Sequence, residues 1–237
     1  MLRYSMLSMK IGFLGTGHIT SSVIQGISRS NLKIDKIYVS PRNKFISKKL
    51  SKRFKKVKVA KTNQELIDLT NLVFLAVTPK VGNKILKQLN FRKNQKIVSF
   101  ISTINLEKLK KYTKNENITR VIPMPFIGIR RGPIIICPRN NGIKKFFDKL
   151  GKTIVIKSEK ISKNFWTTSS FMAPFYQIIF TTSEWLIKRG VKRNAAEDYA
   201  REFFTALSID SVNKNKLHLK QLVSESQTPG GINAQAL

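Results

Sequence analysis

Along the first two thirds of the chain, short apolar runs alternate with amphipathic stretches. The runs fall at Lys10–Leu14, Lys36–Ser40, Val57–Ala60, Leu72–Val77, Lys96–Phe100, Thr119–Ile122, Ile134–Cys137 and Thr153–Ile156. Their length and β-branched content predict strands, with helical segments between most of them. Repeated strand–helix units predict a mostly parallel sheet, covered on both faces and joined by right-handed crossovers. After about Lys157 the pattern changes. Ile161–Arg189, Arg193–Asn213 and Lys214–Ser224 carry apolar residues at three- and four-residue spacing, interrupted by Gly190 and by Asn213–Asn215, with no further strand pattern. The chain therefore reads as an α/β Rossmann-type domain over 9–157 and an all-helical domain over 158–237. The helical part is too short to be comfortable alone. Its aromatic-rich first helix, with Phe165, Trp166, Phe171, Phe175, Tyr176, Phe180 and Trp185, buries either against a partner chain or against the first domain; both readings stay open. Residues 1–8 add nothing periodic, so translation from Met9 is a further open reading.

Chemistry enters at the turn after the first strand. Gly12-Phe13-Leu14-Gly15-Thr16-Gly17-His18-Ile19-Thr20 leaves a predicted strand and opens a predicted helix, the context that a dinucleotide fingerprint requires. Gly15 permits a tight turn. Gly17 lets the backbone approach a pyrophosphate seated on the helix N-terminus, where unpaired N–H groups and the dipole favour negative charge. Thr20 stands where a third Gly or Ala is usual, so the packing of helix on strand must tolerate a branched side chain. His18 reads equally well as a pyrophosphate contact or as a surface residue.

The end of the second strand decides the cofactor. A site for NAD(H) would place a carboxylate there to hold the ribose hydroxyls, but the chain reads Val39-Ser40-Pro41-Arg42-Asn43, with Asp35 lying before the strand. Ser40 and Arg42 are donors suited to a 2′-phosphate. Charge-assisted bonds of this kind contribute roughly 1.5–3 kcal/mol each, so NADP(H) is favoured over NAD(H).

Composition narrows the alternatives. Across 237 residues, 44 Lys+Arg face 13 Asp+Glu, for a formal charge of +31. Such a balance favours polyanions in a salt-dependent way, yet the lysines are spread over the whole length beside many Asn and Ile, without one stripe. A small anionic substrate or cofactor therefore ranks ahead of nucleic acid as partner. Cys137 is the lone cysteine and there are two histidines, so neither an internal disulfide nor a Cys/His zinc cluster is expected, and a metal site is not expected either. No apolar run reaches the 18 or so residues of a membrane-spanning helix, and a cytoplasmic protein is expected.

Six blocks occur in register: the N-terminal glycine turn, Ser40-Pro41-Arg42, Thr62-Asn63, Val73–Pro79, Arg120-Val121-Ile122-Pro123 and Thr228-Pro229-Gly230-Gly231. In this order and spacing the chain, from Met9 to Leu237, resembles the pyrroline-5-carboxylate reductases. The resemblance implies a Rossmann domain, a helical dimerisation domain that forms a homodimer or a larger ring of dimers, and NAD(P)H-dependent reduction of a small anionic cyclic imine, by default 1-pyrroline-5-carboxylate to proline. It also implies an active site shared between subunits, with Asn63 near the adenosine and Ala76, Val77, Thr78 and Pro79 near the nicotinamide end.

The departures concern the substrate. Thr78 stands where the family usually has Lys, Ser102-Thr103 where it has Ala-Gly, Met124-Pro125-Phe126 where it has Asn-Thr-Pro, and Phe171-Met172-Ala173-Pro174 where it has Gly-Ser-Gly-Pro. Ile232 and Asn233 replace two threonines. A polar site discriminates through specific hydrogen bonds, so several such exchanges point to a changed ligand. Another cyclic imine or a keto acid, and a silent nucleotide-binding protein, therefore remain beside the default.

The closing motif reads as loop into helix, with Thr228 as N-cap and Pro229 at the first helical position. Gly230 and Gly231 would then sit in a first turn at a cost of about 2 kcal/mol relative to alanine, explained if a substrate carboxylate docks on their N–H groups; a plain tight turn is the competing explanation. The chain offers no His/Asp dyad and no paired carboxylates at a predictable spacing, which argues against hydrolysis and acyl transfer. Asn233 or Thr228 would hydrogen-bond the substrate nitrogen or carboxylate, and Glu184 is the acidic side chain that the resemblance places nearby. The chain stops at Leu237 within an incipient helix where the family runs on, and a natural end and a truncation are both open.

Overall fold

The computed structural model describes residues 9–237; the question of a start at Met9 concerns residues that lie outside the described ones. The chain folds as two compact units that meet in sequence at Ser169 and Ser170. In the first, the elements run β1 (Lys10–Leu14), α1 (His18–Ser28), β2 (Lys36–Val39), α2 (Lys44–Arg53), β3 (Val57–Val59), α3 (Asn63–Asp68), β4 (Leu72–Leu75), α4 (Pro79–Ile85), β5 (Lys96–Ser99), α5 (Leu106–Thr113), β6 (Ile118–Ile122), β7 (Pro133–Cys137), α6 (Asn141–Phe147), β8 (Lys152–Val155) and α7 (Glu159–Thr167). Every apolar run read from the pattern forms a strand, to within two residues at its ends.

The eight strands form one sheet in the order β3-β2-β1-β4-β5-β6-β7-β8. All neighbours are parallel except β6 and β7. Alternate strand positions feed opposite faces, as the period of two demands. Ile11, Phe13, Leu72 and Phe74 join one core layer with Val23 and Ile24 of α1 and Phe147 of α6. Leu14, Val73 and Leu75 join the other with Leu66 of α3 and Leu109 of α5. Phe74 anchors the first layer, stacked on Phe13 at 4.5 Å and edge-on to Phe147 at 6.3 Å. Helix starts are marked by side-chain caps: Asn43, Thr62, Asn105 and Asn140 accept from the N–H three residues on.

The first unit runs beyond the expected boundary at 157/158, because α7 stays with the sheet. Glu159 at its start pairs with Arg120 of β6 at 2.9 Å. The single helix expected over 161–189 is broken: α7 ends at Thr167, a tight turn covers Thr168–Phe171, and α8 (Met172–Ile187) follows. Pro174 falls in the first turn of α8, where its missing N–H is harmless, but a continuous helix through it would lose a bond to the preceding turn.

In the second unit, α8 packs on α9 (Arg193–Asn213), with Phe175 edge-on to Phe204 at 6.2 Å. Gly190, at φ +89°, turns the chain between them. Two short helices follow, α10 (Leu219–Glu225) and α11 (Ile232–Ala236). His218 caps α10, its Nδ1 accepting from Lys220 N–H at 3.2 Å, in a capping box with Gln221. Among the described residues no helix is long and apolar enough to cross a membrane.

Candidate functional site: a dinucleotide cleft at the switch point

β1 has β2 on one side and β4 on the other, so the strand order reverses there, and ligands of open α/β sheets bind outside the carboxyl ends of the strands at such a point. A cleft of about 720 Å³ lies there. Its floor is Gly15, Thr16 and Gly17 after β1; one wall is Ser40, Arg42, Asn43 and Lys44 after β2; the other is Ala76, Val77 and Thr78 after β4. Val81 and Ile85, one turn apart on α4, add an apolar surface, and Asn63 closes the side near β3.

The floor is shaped by two glycines with different constraints. Gly15 has φ +111°, and a Cβ there would lie 2.2 Å from the carbonyl oxygen of Ala76. No other residue fits without moving the segment that follows β4. Gly17 is the N-cap of α1 in extended geometry, without a side-chain cap, and a Cβ there would meet nothing within 4 Å. The space above its backbone is where the unpaired amides of the first helical turn point. Thr20 resolves the packing question posed by its branched side chain: it is fully buried, and its Oγ1 donates to the Gly15 carbonyl at 2.8 Å. It thus fixes the turn from beneath.

Ser40 plays a different part from the one its sequence position suggests. Its Oγ accepts from Gly15 N–H at 3.2 Å and donates to Asn63 Oδ1 at 2.7 Å. The hydroxyl proton is therefore engaged within the protein rather than offered to a 2′-phosphate, and Ser40 ties the glycine turn to the start of α3. The cations that line the cleft on this side are Arg42 and Lys44. Lys44 and Asn43, which caps α2 through Ile46 N–H at 3.1 Å, escaped the sequence reading, which sought a donor only in Ser-x-Arg. The run of polar residues before an amphipathic stretch was the available signal. Among the described residues that line the cleft, none is acidic and none is histidine.

Other expected cofactor residues lie off the cleft lining. Gly12 sits within β1, where a Cβ would meet Leu66 Cδ2 at 2.5 Å, so its smallness serves the packing of α3. His18 is exposed at the start of α1, and Ile19 packs against the core. Pro79 opens α4 and lines a second cavity of about 450 Å³ with Asn83, Ser102, Thr103 and Asn105.

The expected substrate residues all belong to the second unit. Thr228 is not a helix cap: its carbonyl accepts from Gly231 N–H at 2.8 Å. With Pro229 second and Gly230 third at φ +70°, Thr228–Gly231 has the signature of a type II turn. Gly231, not Thr228, is the N-cap of α11. The two glycines therefore precede the helix, the first-turn cost does not arise, and Gly231's amide is engaged inside the turn. Asn233 donates to the Ser226 carbonyl at 2.8 Å. Glu184 is paired with Arg193 at 2.9 Å, so it is not a lone acid.

A doubly covered sheet with a glycine turn at its switch point, beneath a basic wall, defines a dinucleotide-binding Rossmann domain of the oxidoreductase type. Residues 10–105 match the family model described as NADP oxidoreductase coenzyme F420-dependent. Over nearly the whole chain, the sequence is 25% identical to pyrroline-5-carboxylate reductase 3 of Danio rerio, covering 95% of this chain and 81% of the relative. It is 23% identical to the Arabidopsis thaliana pyrroline-5-carboxylate reductase, covering 94% and 84%. The fold matches the Plasmodium falciparum pyrroline carboxylate reductase solved with NADP bound, at TM-score 0.79 and 22% identity over 96% of this chain and 87% of that one. The Streptococcus pyogenes 1-pyrroline-5-carboxylate reductase matches at TM-score 0.77, with 22% identity over 97% and 89%. The chain is thus similar, at modest identity but over nearly its whole length, to the pyrroline-5-carboxylate reductases.

Proposed function

We propose that this protein is an NADPH-dependent reductase of a small anionic cyclic imine, with 1-pyrroline-5-carboxylate as default substrate and another cyclic imine or keto acid as the alternative that the exchanged pocket residues favour. The observation that carries the reading is the open, extended N-cap at Gly17 beside the Gly15–Ser40–Asn63 chain of hydrogen bonds, a cradle that a Cβ at Gly17 would begin to fill. Gly15–Gly17 and the first turn of α1 would hold the pyrophosphate, Asn63 the adenosine, Arg42 and Lys44 the 2′-phosphate, and Ala76–Thr78 the nicotinamide end. Reduced nicotinamide, when bound, supplies a hydride.

An iminium carries its own positive charge and is already electrophilic, so the protein's task is alignment and exclusion of water rather than acid–base work. That suits a cleft lined without carboxylate or imidazole. For the substrate side we keep the Thr228 hydroxyl, Gly230 and Asn233 as candidates. Glu184 engages Arg193 through Oε1, so its second carboxylate oxygen is the one it would offer a substrate. The exposed apolar face of α8 and α9, with Phe180 and Trp185 each about half exposed, supports a homodimer through the helical unit. A cytoplasmic location fits a single free, buried cysteine.

Stopped-flow oxidation of NADPH with 1-pyrroline-5-carboxylate and a panel of cyclic imines and keto acids tests the reading. Gly17→Val should leave the fold intact and abolish turnover, while Arg42→Ala should erode the preference for NADPH over NADH by about tenfold or more. Saturable NADPH binding without oxidation on any acceptor, or undiminished turnover in Gly17→Val, would overturn it.

A further inference from the structure

Arg120 heads the largest fully buried side chains of the described residues, a charge with 2% exposure in the interior of a sheet. It shares parity with Ile118 on β6 and so points to the face covered by α3, α4 and α5. Its Nη1 donates to the Ser102 carbonyl and pairs with Glu159 Oε1, each at 2.9 Å, and its Nη2 donates to the Ile104 carbonyl. Nε has no partner. Glu159 in turn accepts from Leu106 N–H, the first amide of α5, at 3.0 and 3.1 Å through its two oxygens. The two side chains thus grip one segment, the loop from β5 into α5, at Ser102, Ile104 and Leu106.

Stability alone does not account for this arrangement. A buried ion pair is often no better than packed apolar side chains of the same volume, and here one buried donor is left unsatisfied, itself a cost. Burial lowers the Arg120 pKa, with the charge of Glu159 opposing. What the pair does specify is the path of the loop. β5 lies beside β4, and the residues after β4 form the far wall of the dinucleotide cleft. The loop after β5 is therefore the next surface along the carboxyl edge of the sheet, and its Ser102 and Thr103 line the second cavity with Pro79, the residue after Thr78.

We infer that Arg120 and Glu159 are positioning residues, which hold Ser102 and Thr103 as the floor on which the reacting end of the dinucleotide meets its acceptor. This rests on the reductase reading. It assigns Glu159, a residue absent from every motif in the sequence, to the active site through the loop it grips.

Glu159→Gln in the full chain tests it, since the amide keeps the size and an acceptor for Leu106 N–H while removing the charge that Arg120 binds. The expected result is faster amide exchange across residues 102–106, weaker protection of that segment on adding NADPH, and kcat down by about tenfold, with the NADPH Kd within about twofold of wild type. Glu159→Asp, which keeps the charge but is one methylene shorter, guards against a folding failure and should show the same loop exchange at smaller amplitude. Unchanged loop exchange in both variants would overturn the proposal. So would parallel losses of kcat and NADPH affinity that track melting temperature as in a control core variant, Leu109→Val. Should the wild-type protein fail to oxidise NADPH with every acceptor offered, the reductase reading falls, and the exchange data with and without NADPH still decide whether the pair positions the loop.

Discussion

The two units use apolar residues in opposite ways. In the first, strand side chains are divided between two layers and vanish from solvent, with Phe13, Phe74 and Phe147 all fully buried. In the second, the buried residues of α8 and α9 are Ser183, Ala196 and Ala200, while Phe171, Tyr176 and Phe180 are 69%, 58% and 54% exposed. A sheet covered on both faces completes its own core. A pair of helices with a wide apolar stripe does not, and an uncovered patch of this kind marks an interaction surface. The first unit thus closes its own apolar core, whereas the second leaves an apolar face open to solvent.

The sharpest way to break that contrast lies in the first unit. Gly15→Ala sets a Cβ against the Ala76 carbonyl at a φ of +111° and should cost about 3 kcal/mol or more, read by urea denaturation, together with loss of NADPH binding. A loss below 1 kcal/mol would show that the cradle is soft. Next comes the second unit. Phe180→Lys should weaken self-association by about 2 kcal/mol or more, seen as a concentration-dependent shift to monomer in sedimentation, while the NADPH affinity of the first unit stays the same; an unchanged assembly would remove the apolar face from the argument. The smallest effect concerns the surface of the first unit. Although burial tends to raise it, the Asp148 pKa is lowered overall by hydrogen bonds from Lys144 and Thr153. Its contribution is therefore present above the ordinary carboxylate pKa and fades as pH falls through the depressed one. Asp148→Asn should flatten that acid limb by less than about 1 kcal/mol, since solvent screens the pair, and a variant with the wild-type acid profile would refute the assignment.

Periodicity made the first unit legible. Parallel strands buried on both faces are continuous apolar runs, and each of the runs became a strand because nothing in the tertiary structure competes with that pattern. The glycine turn was legible for the same reason, since only its context of strand before and helix after had to hold. What escaped were features made by contacts distant in sequence. Ser40 looks like a ligand donor until Gly15 and Asn63 are seen at its hydroxyl, and Glu159 is one of many charged residues until Arg120 is seen beneath it. Thr228 and Pro229 satisfy the rules for a helix start, but the left-handed conformation at Gly230 gives a turn first and moves the cap to Gly231. The ion pair that ties α7 to β6 is likewise a contact that periodicity does not record.

The link from Gly15 through Ser40 to Asn63 has a kinetic corollary. A receptor whose turn is already braced needs no ordering when its guest arrives, so association would be governed by diffusion and by the field of Arg42 and Lys44. Variants at this rim should accordingly alter the arrival rate and its dependence on ionic strength, whereas changes beneath the turn, at Thr20 or Ser40, should show mainly in residence time.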